Sequence, residues 1–184
     1  MKAPAAGLIK TVIKQWGKHI FIATFTLVDD KSSDFLLMES IGNAKPVIFM
    51  AVTIDKKVIV IRQFRYGAND FVLEFPGGMP KAGQTPEDVL RAELLEETGY
   101  VPKKVARLGS DLWFEPAFMR VQYTPMLALD CYREREPNRD EFEVMETHEI
   151  ALADWVAMCH RGEILDSKSL AITFLAVPHL SPSE

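Results

Sequence analysis

Gly77-Gly78-Met79-Pro80-Lys81-Ala82-Gly83-Gln84-Thr85-Pro86-Glu87-Asp88-Val89-Leu90-Arg91-Ala92-Glu93-Leu94-Leu95-Glu96-Glu97-Thr98-Gly99-Tyr100 holds the most information of any segment in this 184-residue chain. Thr85 reads as an N-cap, Pro86 as a first-turn proline, Asp88 as the acid of a capping box and Gly99 as the stop, which predicts a helix over 86–98. Glu87 and Asp88 lie where the helix dipole favours anions. Glu93, Glu96 and Glu97 lie near the other end, where the dipole disfavours each by roughly 0.3–1 kcal/mol and the i, i+4 pair 93/97 adds like-charge repulsion. At about 100° per residue the three carboxylates share a stripe, with Arg91 on the opposite side. A solvated acidic face is the ordinary explanation of such a run. Here no lysine or arginine at helical spacing relieves it, and clustered oxygen ligands without a counter-charge suit a hard divalent cation, Mg2+ or alternatively Mn2+.

The run Gly78, Glu93, Leu94, Glu96, Glu97, Gly99, Tyr100 resembles the box of the Nudix hydrolases. Two positions depart from the family pattern: Gln84 stands for a glutamate, and Ala92 for the arginine before the first metal-binding glutamate. Losing both partners of an interaction is close to neutral, whereas losing one strands the other. The resemblance continues upstream through Val58-Ile59-Val60-Ile61-Arg62-Gln63-Phe64-Arg65-Tyr66 and Leu73-Glu74-Phe75-Pro76-Gly77-Gly78, similar to ADP-ribose pyrophosphatases and related nucleoside-diphosphate-sugar hydrolases. Downstream, Pro116 lies at the spacing of that subfamily's marker proline, although Phe114-Glu115-Pro116-Ala117 departs from its usual Ser-Pro-Gly. Arg139-Asp140-Glu141-Phe142-Glu143-Val144 is similar to its acidic loop, and Arg161 to Asp166 to its closing helix region.

The resemblance implies an α+β Nudix fold, an α/β/α sandwich with a mixed sheet. It implies metal ligation by Glu93 and Glu97, with Glu96 as a further ligand and the backbone carbonyl of Gly77 approaching the same cation. Arg65 would hold the substrate's diphosphate, with a solvent-facing strand-end arginine as the ordinary alternative. Glu74, a lone carboxylate alternating with Leu73 and Phe75, reads either as solvent-facing or as part of the substrate site near the metals. Asp140 or Glu141, which the sequence does not separate, would be the base that activates water, with Glu96 or Glu115 next in line. The implied partner is a small nucleoside diphosphate derivative, ADP-ribose first and a GDP- or ADP-sugar second. A nucleotide-binding regulatory module with little turnover is the rival that Gln84 and Ala92 keep open.

A net charge of −5 without a basic stripe argues against nucleic acid as a partner and weakens an RNA-directed hydrolase. No apolar run approaches the roughly 18 residues of a membrane span, and Lys10 breaks the short apolar start too early for a signal peptide. Cytoplasmic residence is therefore expected. Cys131 and Cys159, far apart and without CxxC spacing, read as reduced residues. The four histidines have no ligand or triad spacing. Trp113 and Phe114 read as core aromatics, with stacking on a base as the alternative.

Strands are expected at 20–28 and 35–38, at 47–52 and 58–63 as a hairpin across Asp55-Lys56-Lys57, and at 71–75. Further β-rich segments fall near 105–114, 121–130 and 143–150, and two helices close the chain at about 151–161 and 167–177. Residues 1–45 read as an N-terminal antiparallel strand layer whose edges need a partner, consistent with a homodimer. Residues 46–184 would form the catalytic domain.

Overall fold

The computed structural model describes residues 7–16, 20–28, 33–40, 44–138 and 144–180. Asp140 and Glu141 lie outside the described residues. Two compact units emerge, one of residues 1–45 with 112–123, the other of 46–111 with 124–184.

In the first unit, β1 (Gly7–Trp16), β2 (Ile20–Val28) and β3 (Ser33–Ser40) form an antiparallel meander. The strand β1 is an addition to the two that the sequence pattern indicates.

The second unit is built on β4 (Val47–Thr53), all seven residues of which are buried. Such a strand needs cover on both faces, since successive side chains point to opposite sides. Val47, Phe49 and Ala51 pack in one cluster with Val89 and Leu90 from the first helix, α1 (Pro86–Glu93), and with Leu94 just after it. The alternate face of β4 is covered by α3 (Ser167–Ala176). Fully burying a side chain such as Phe49 or Leu90 is worth about 1.5–3 kcal/mol. The strand β5 (Lys57–Arg65) runs antiparallel to β4 after the Asp55-Lys56 turn, where Lys56 takes φ 61°. It pairs in turn with β6 (Asp70–Glu74), while β7 (Gly77–Gly78) pairs with β4. Then come β8 (Tyr100–Val101) and β9 (Lys104–Arg107). Two short strands of the first unit follow, β10 (Leu112–Trp113) and β11 (Met119–Arg120), the latter parallel to β3.

The long strand β12 (Gln122–Arg133) runs parallel to β4 and antiparallel to β8 and β9, so the sheet is mixed. Its far edge is β13 (Met145–Ala151), antiparallel to β5. The helix α2 (Leu152–His160) packs on β13 and β5, with Trp155 fully buried and its indole N–H donated to Thr173 Oγ1 at 2.8 Å. The α+β sandwich expected from the sequence is the fold observed. Both cysteines are free, and burial pushes the Cys131 thiol up to about 12. Trp113 is half exposed, against its expected core role, whereas the Phe114 ring packs edge-on against Tyr123 at 5.1 Å. No described helix is long and apolar enough to cross a membrane.

Candidate active site

The start of the glutamate helix follows its local signals. Asp88 N–H donates to Thr85 Oγ1 at 3.2 Å, and Thr85 N–H donates back to Asp88 Oδ2 at 2.8 Å, a complete capping box. Arg91 turns away from the other glutamates, pairing with Glu87 at 2.8 Å and donating to the Pro102 carbonyl at 3.0 Å. Gln84 is spent locally, its Oε1 accepting the Lys81 N–H at 2.8 Å, so the turn before the helix is closed without an acid at that position. Ala92 is half-buried.

The end of the helix departs from expectation. The α-helix stops at Glu93, and Leu94–Thr98 form a wider π turn, closed by Gly99 at φ 81°. Single π turns recur at functional sites because they re-aim side chains that an α-helix would stack. Here the turn divides the three glutamates. Glu97 is only 6% exposed, and its Oε2 accepts the Gly77 N–H at 3.3 Å. Glu93 lies against the next residue, so close that a Cβ on Gly78 would stand 2.6 Å from Glu93 Cγ and nearer still to its carboxylate. Glu96 stays exposed, while its backbone carbonyl accepts the Asn138 N–H at 2.9 Å. Among the described residues no three acidic, histidine or cysteine side chains are gathered as a ready cation cage. The expected convergence of all three carboxylates is thus replaced by two beside Gly77–Gly78 and one in solvent. Like charges at helical spacing repel one another, and the wider turn gives the three carboxylates room to separate.

The two glycines occupy this place for steric reasons. A Cβ on Gly77 would meet the Val47 carbonyl and come within 3.0 Å of Ile48 Cα, and one on Gly78 would fill the space of the Glu93 carboxylate. The pair forms a backbone floor with carboxylates above it. Hard anionic oxygens of this kind are the donors a divalent cation takes, and Glu93 and Glu97 are the side chains beside the floor that could offer them.

Glu74, three residues before Gly77, is 2% exposed. Burial pushes its carboxyl above the usual carboxylate range, opposed first by the Arg65 guanidinium, whose Nε lies 2.6 Å from Glu74 Oε1, and then by Lys168, 4.0 Å from Oε2. Arg65 is half exposed and held at its Nε, an arrangement that orients the guanidinium fork. The structure therefore joins Arg65 to Glu74. Lys168, Asp166 and Ser169, from the start of α3, were not indicated as site residues by sequence. The only local trace of them is the Asp166-x-x-Ser169 capping pattern, realised as a Ser169 N–H bond to Asp166 Oδ2 at 2.9 Å. Glu115 caps its own loop, accepting the Ala117 N–H at 3.1 Å.

The NUDIX domain profile matches residues 44–161. The chain is 31% identical to an ADP-ribose pyrophosphatase of Bacillus subtilis (strain 168) over 173 residues, 90% of this chain and 91% of that protein. A GDP-mannose pyrophosphatase of Yersinia pestis (strain Pestoides F) is 32% identical over 139 residues, 68% of this chain and 67% of that protein. In fold the chain is similar to the protein in "Crystal structure of ADP compounds hydrolase", with a TM-score of 0.75 at 19% identity, covering 93% of this chain and 94% of that one. With the domain matched over well more than half its length and a relative aligned almost end to end, the chain belongs to the Nudix family and is a Nudix hydrolase.

Proposed function

We propose that the protein hydrolyses the diphosphate bond of a nucleoside diphosphate linked to a sugar, with ADP-ribose the first candidate substrate and AMP and ribose 5-phosphate its products. The observation that carries this reading is the pairing of Glu93 and Glu97 over the Gly77–Gly78 floor, in a chain aligned over 90% of its length with an ADP-ribose pyrophosphatase.

A diphosphate resists attack because its oxygens repel the nucleophile, so charge must be neutralised and water activated. Glu93 and Glu97, with the Gly77 carbonyl, would hold Mg2+, or Mn2+ in its place, and the cation would supply that neutralisation when bound. Arg65, its plane fixed by Glu74, grips a diphosphate oxygen pair with its terminal nitrogens. Glu74 keeps the guanidinium from turning to solvent. Asp140 or Glu141 takes the proton from the attacking water. The Asn138 N–H bond to the Glu96 carbonyl supports this role, since it ties the residue two before Asp140 to the glutamate turn. The β1–β3 layer serves in this reading as a homodimer contact, testable by light scattering of the eluted protein.

A GDP- or ADP-sugar is the second substrate reading, favoured by the 32% identity to a GDP-mannose pyrophosphatase. The test is a chromatographic screen of ADP-ribose, ADP-glucose and GDP-mannose with Mg2+, with Mn2+ and with chelator. Metal-dependent release of a nucleoside monophosphate is expected, fastest from ADP-ribose. Tight binding without product points to a regulatory module and overturns the proposal, as does turnover that survives chelation.

A further inference from the structure

Between Glu74 and Gly77 the chain changes partners. Through Glu74 it pairs with β5, Ile61 standing opposite Glu74, and from Gly77 it pairs with β4. Pro76 has no N–H, and its carbonyl accepts the Phe49 N–H at 3.2 Å. The Phe75 amide is thus left at the crossover, inside the protein, where Phe75 is 3% exposed. A buried amide requires a partner. It finds one outside the sheet, donating to Ser169 Oγ at 2.9 Å across 94 residues of sequence.

Ser169 is itself held firmly. It is fully buried, its hydroxyl donates to Asp166 Oδ2 at 2.7 Å, and the same oxygen accepts the Ser169 N–H at 2.9 Å. The other oxygen of Asp166 takes Lys168 Nζ, which also lies 4.0 Å from Glu74 Oε2. Glu74 completes the circuit by its bond to Arg65. One helix start therefore grips the crossover at two consecutive residues, Glu74 through Lys168 and Phe75 through Ser169.

We infer that Ser169 is a positioning residue of the active site: by holding the Phe75 amide it sets where the chain enters Gly77–Gly78, and so the register of that floor beneath Glu93 and Glu97. Ser169 touches none of the reacting groups. Its effect passes along two peptide units, and floor displacements of about 1 Å are enough to cost on the order of 100-fold in rate. The inference rests on the floor being the catalytic site, as proposed above, but its structural half does not.

The test compares Ser169→Ala with Thr173→Ala on the full chain. Thr173 lies one turn on in the same helix, is buried, donates to the Ser169 carbonyl at 2.7 Å and accepts from Trp155, yet has no bond to the crossover. Both substitutions lower the melting temperature. Only Ser169→Ala is expected to speed hydrogen exchange at the amides of Phe75 and Gly77, by at least tenfold, and to lower kcat at saturating substrate and Mg2+ by at least tenfold. Thr173→Ala should keep kcat within about twofold. Ser169→Cys, isosteric but a weak acceptor, should fall with Ser169→Ala. Equal exchange at Phe75 in the two alanine variants overturns the inference, as does faster exchange with kcat unchanged. If the wild-type protein cleaves none of the nucleotide sugars, the proposed function has failed, and the exchange contrast alone decides whether Ser169 sets the floor.

Discussion

The neighbouring glycines Gly77 and Gly78 should answer the same substitution in opposite ways. In Gly77→Ala the new methyl meets backbone, the Val47 carbonyl and Ile48 Cα at 3.0 Å, and neither atom moves without opening the β4–β7 pairing. Overpacking of this kind costs about 1–3 kcal/mol, and for a chain of this size each kcal/mol lowers Tm by about 2–4 °C, so a fall of roughly 2–12 °C is expected. In Gly78→Ala the three atoms nearest the methyl all belong to the flexible Glu93 side chain, with Cγ at 2.6 Å. That side chain swings aside at a cost of about 0.5–1.5 kcal/mol, offset by about 0.4–1 kcal/mol from the stiffer unfolded chain. The Tm should therefore stay within a few degrees of wild type. The carboxylate, however, leaves its place, and a displacement of 1 Å or more should cost about 100-fold in kcat. Thermal melting and saturating kinetics with Mg2+ on both variants check the pair. A Gly78→Ala protein turning over within about threefold of wild type would refute the placement of Glu93 in the site. A Gly77→Ala protein melting like wild type would refute the steric argument for the floor.

Glu97→Gln should retain the fold, since an amide oxygen can still accept the Gly77 N–H, but lose at least about 100-fold in kcat; near wild-type turnover counts against metal ligation there. Asp140→Asn and Glu141→Gln should separate base from ligand: the true base lowers kcat with little change in apparent Mg2+ affinity, and half of wild-type activity in both variants would move the base to Glu96 or Glu115. Acid stability should depend on Glu149, whose carboxyl Lys57 at 2.8 Å and then the Tyr100 hydroxyl hold below its ordinary value of 4.5. A carboxyl lowered in the folded state stabilises above its unfolded pKa and loses that contribution as pH falls through the folded one. The Tm advantage of wild type over Glu149→Gln should accordingly shrink as pH drops below 4.5, and an advantage constant with pH would exclude the linkage.

Much of this protein was legible in local sequence because its causes are local. Thr85, Pro86, Asp88 and Gly99 set the bounds of the glutamate helix through bonds and dihedrals within a few residues, and the continuous apolar runs over 47–52 and 58–61 on either side of Asp55-Lys56-Lys57 indicated a hairpin whose turn bears Lys56 at positive φ. The spacing of Gly78, Glu93, Leu94, Glu96, Glu97, Gly99 and Tyr100 indicated the family. The π turn was not legible, because nothing in Leu94 to Thr98 distinguishes i→i+4 from i→i+5 bonding, and the stripe read at 100° per residue placed Glu96 with its neighbours when the structure leaves it exposed. Arg65 and Glu74 were each visible as candidates, but their 2.6 Å pairing depends on the register of β6 on β5. Ser169 was invisible as a site residue, since the amide it holds lies 94 positions away and needs a partner only because the strand crosses there from β5 to β4. The sequence by itself determined the central strands and the start of the glutamate helix and singled out the candidate carboxylates, for these follow from short-range capping, apolar patterning and charge. Only the tertiary structure decided how many of those carboxylates meet and what holds the backbone beneath them, because both depend on where chain segments distant in sequence leave polar groups without water.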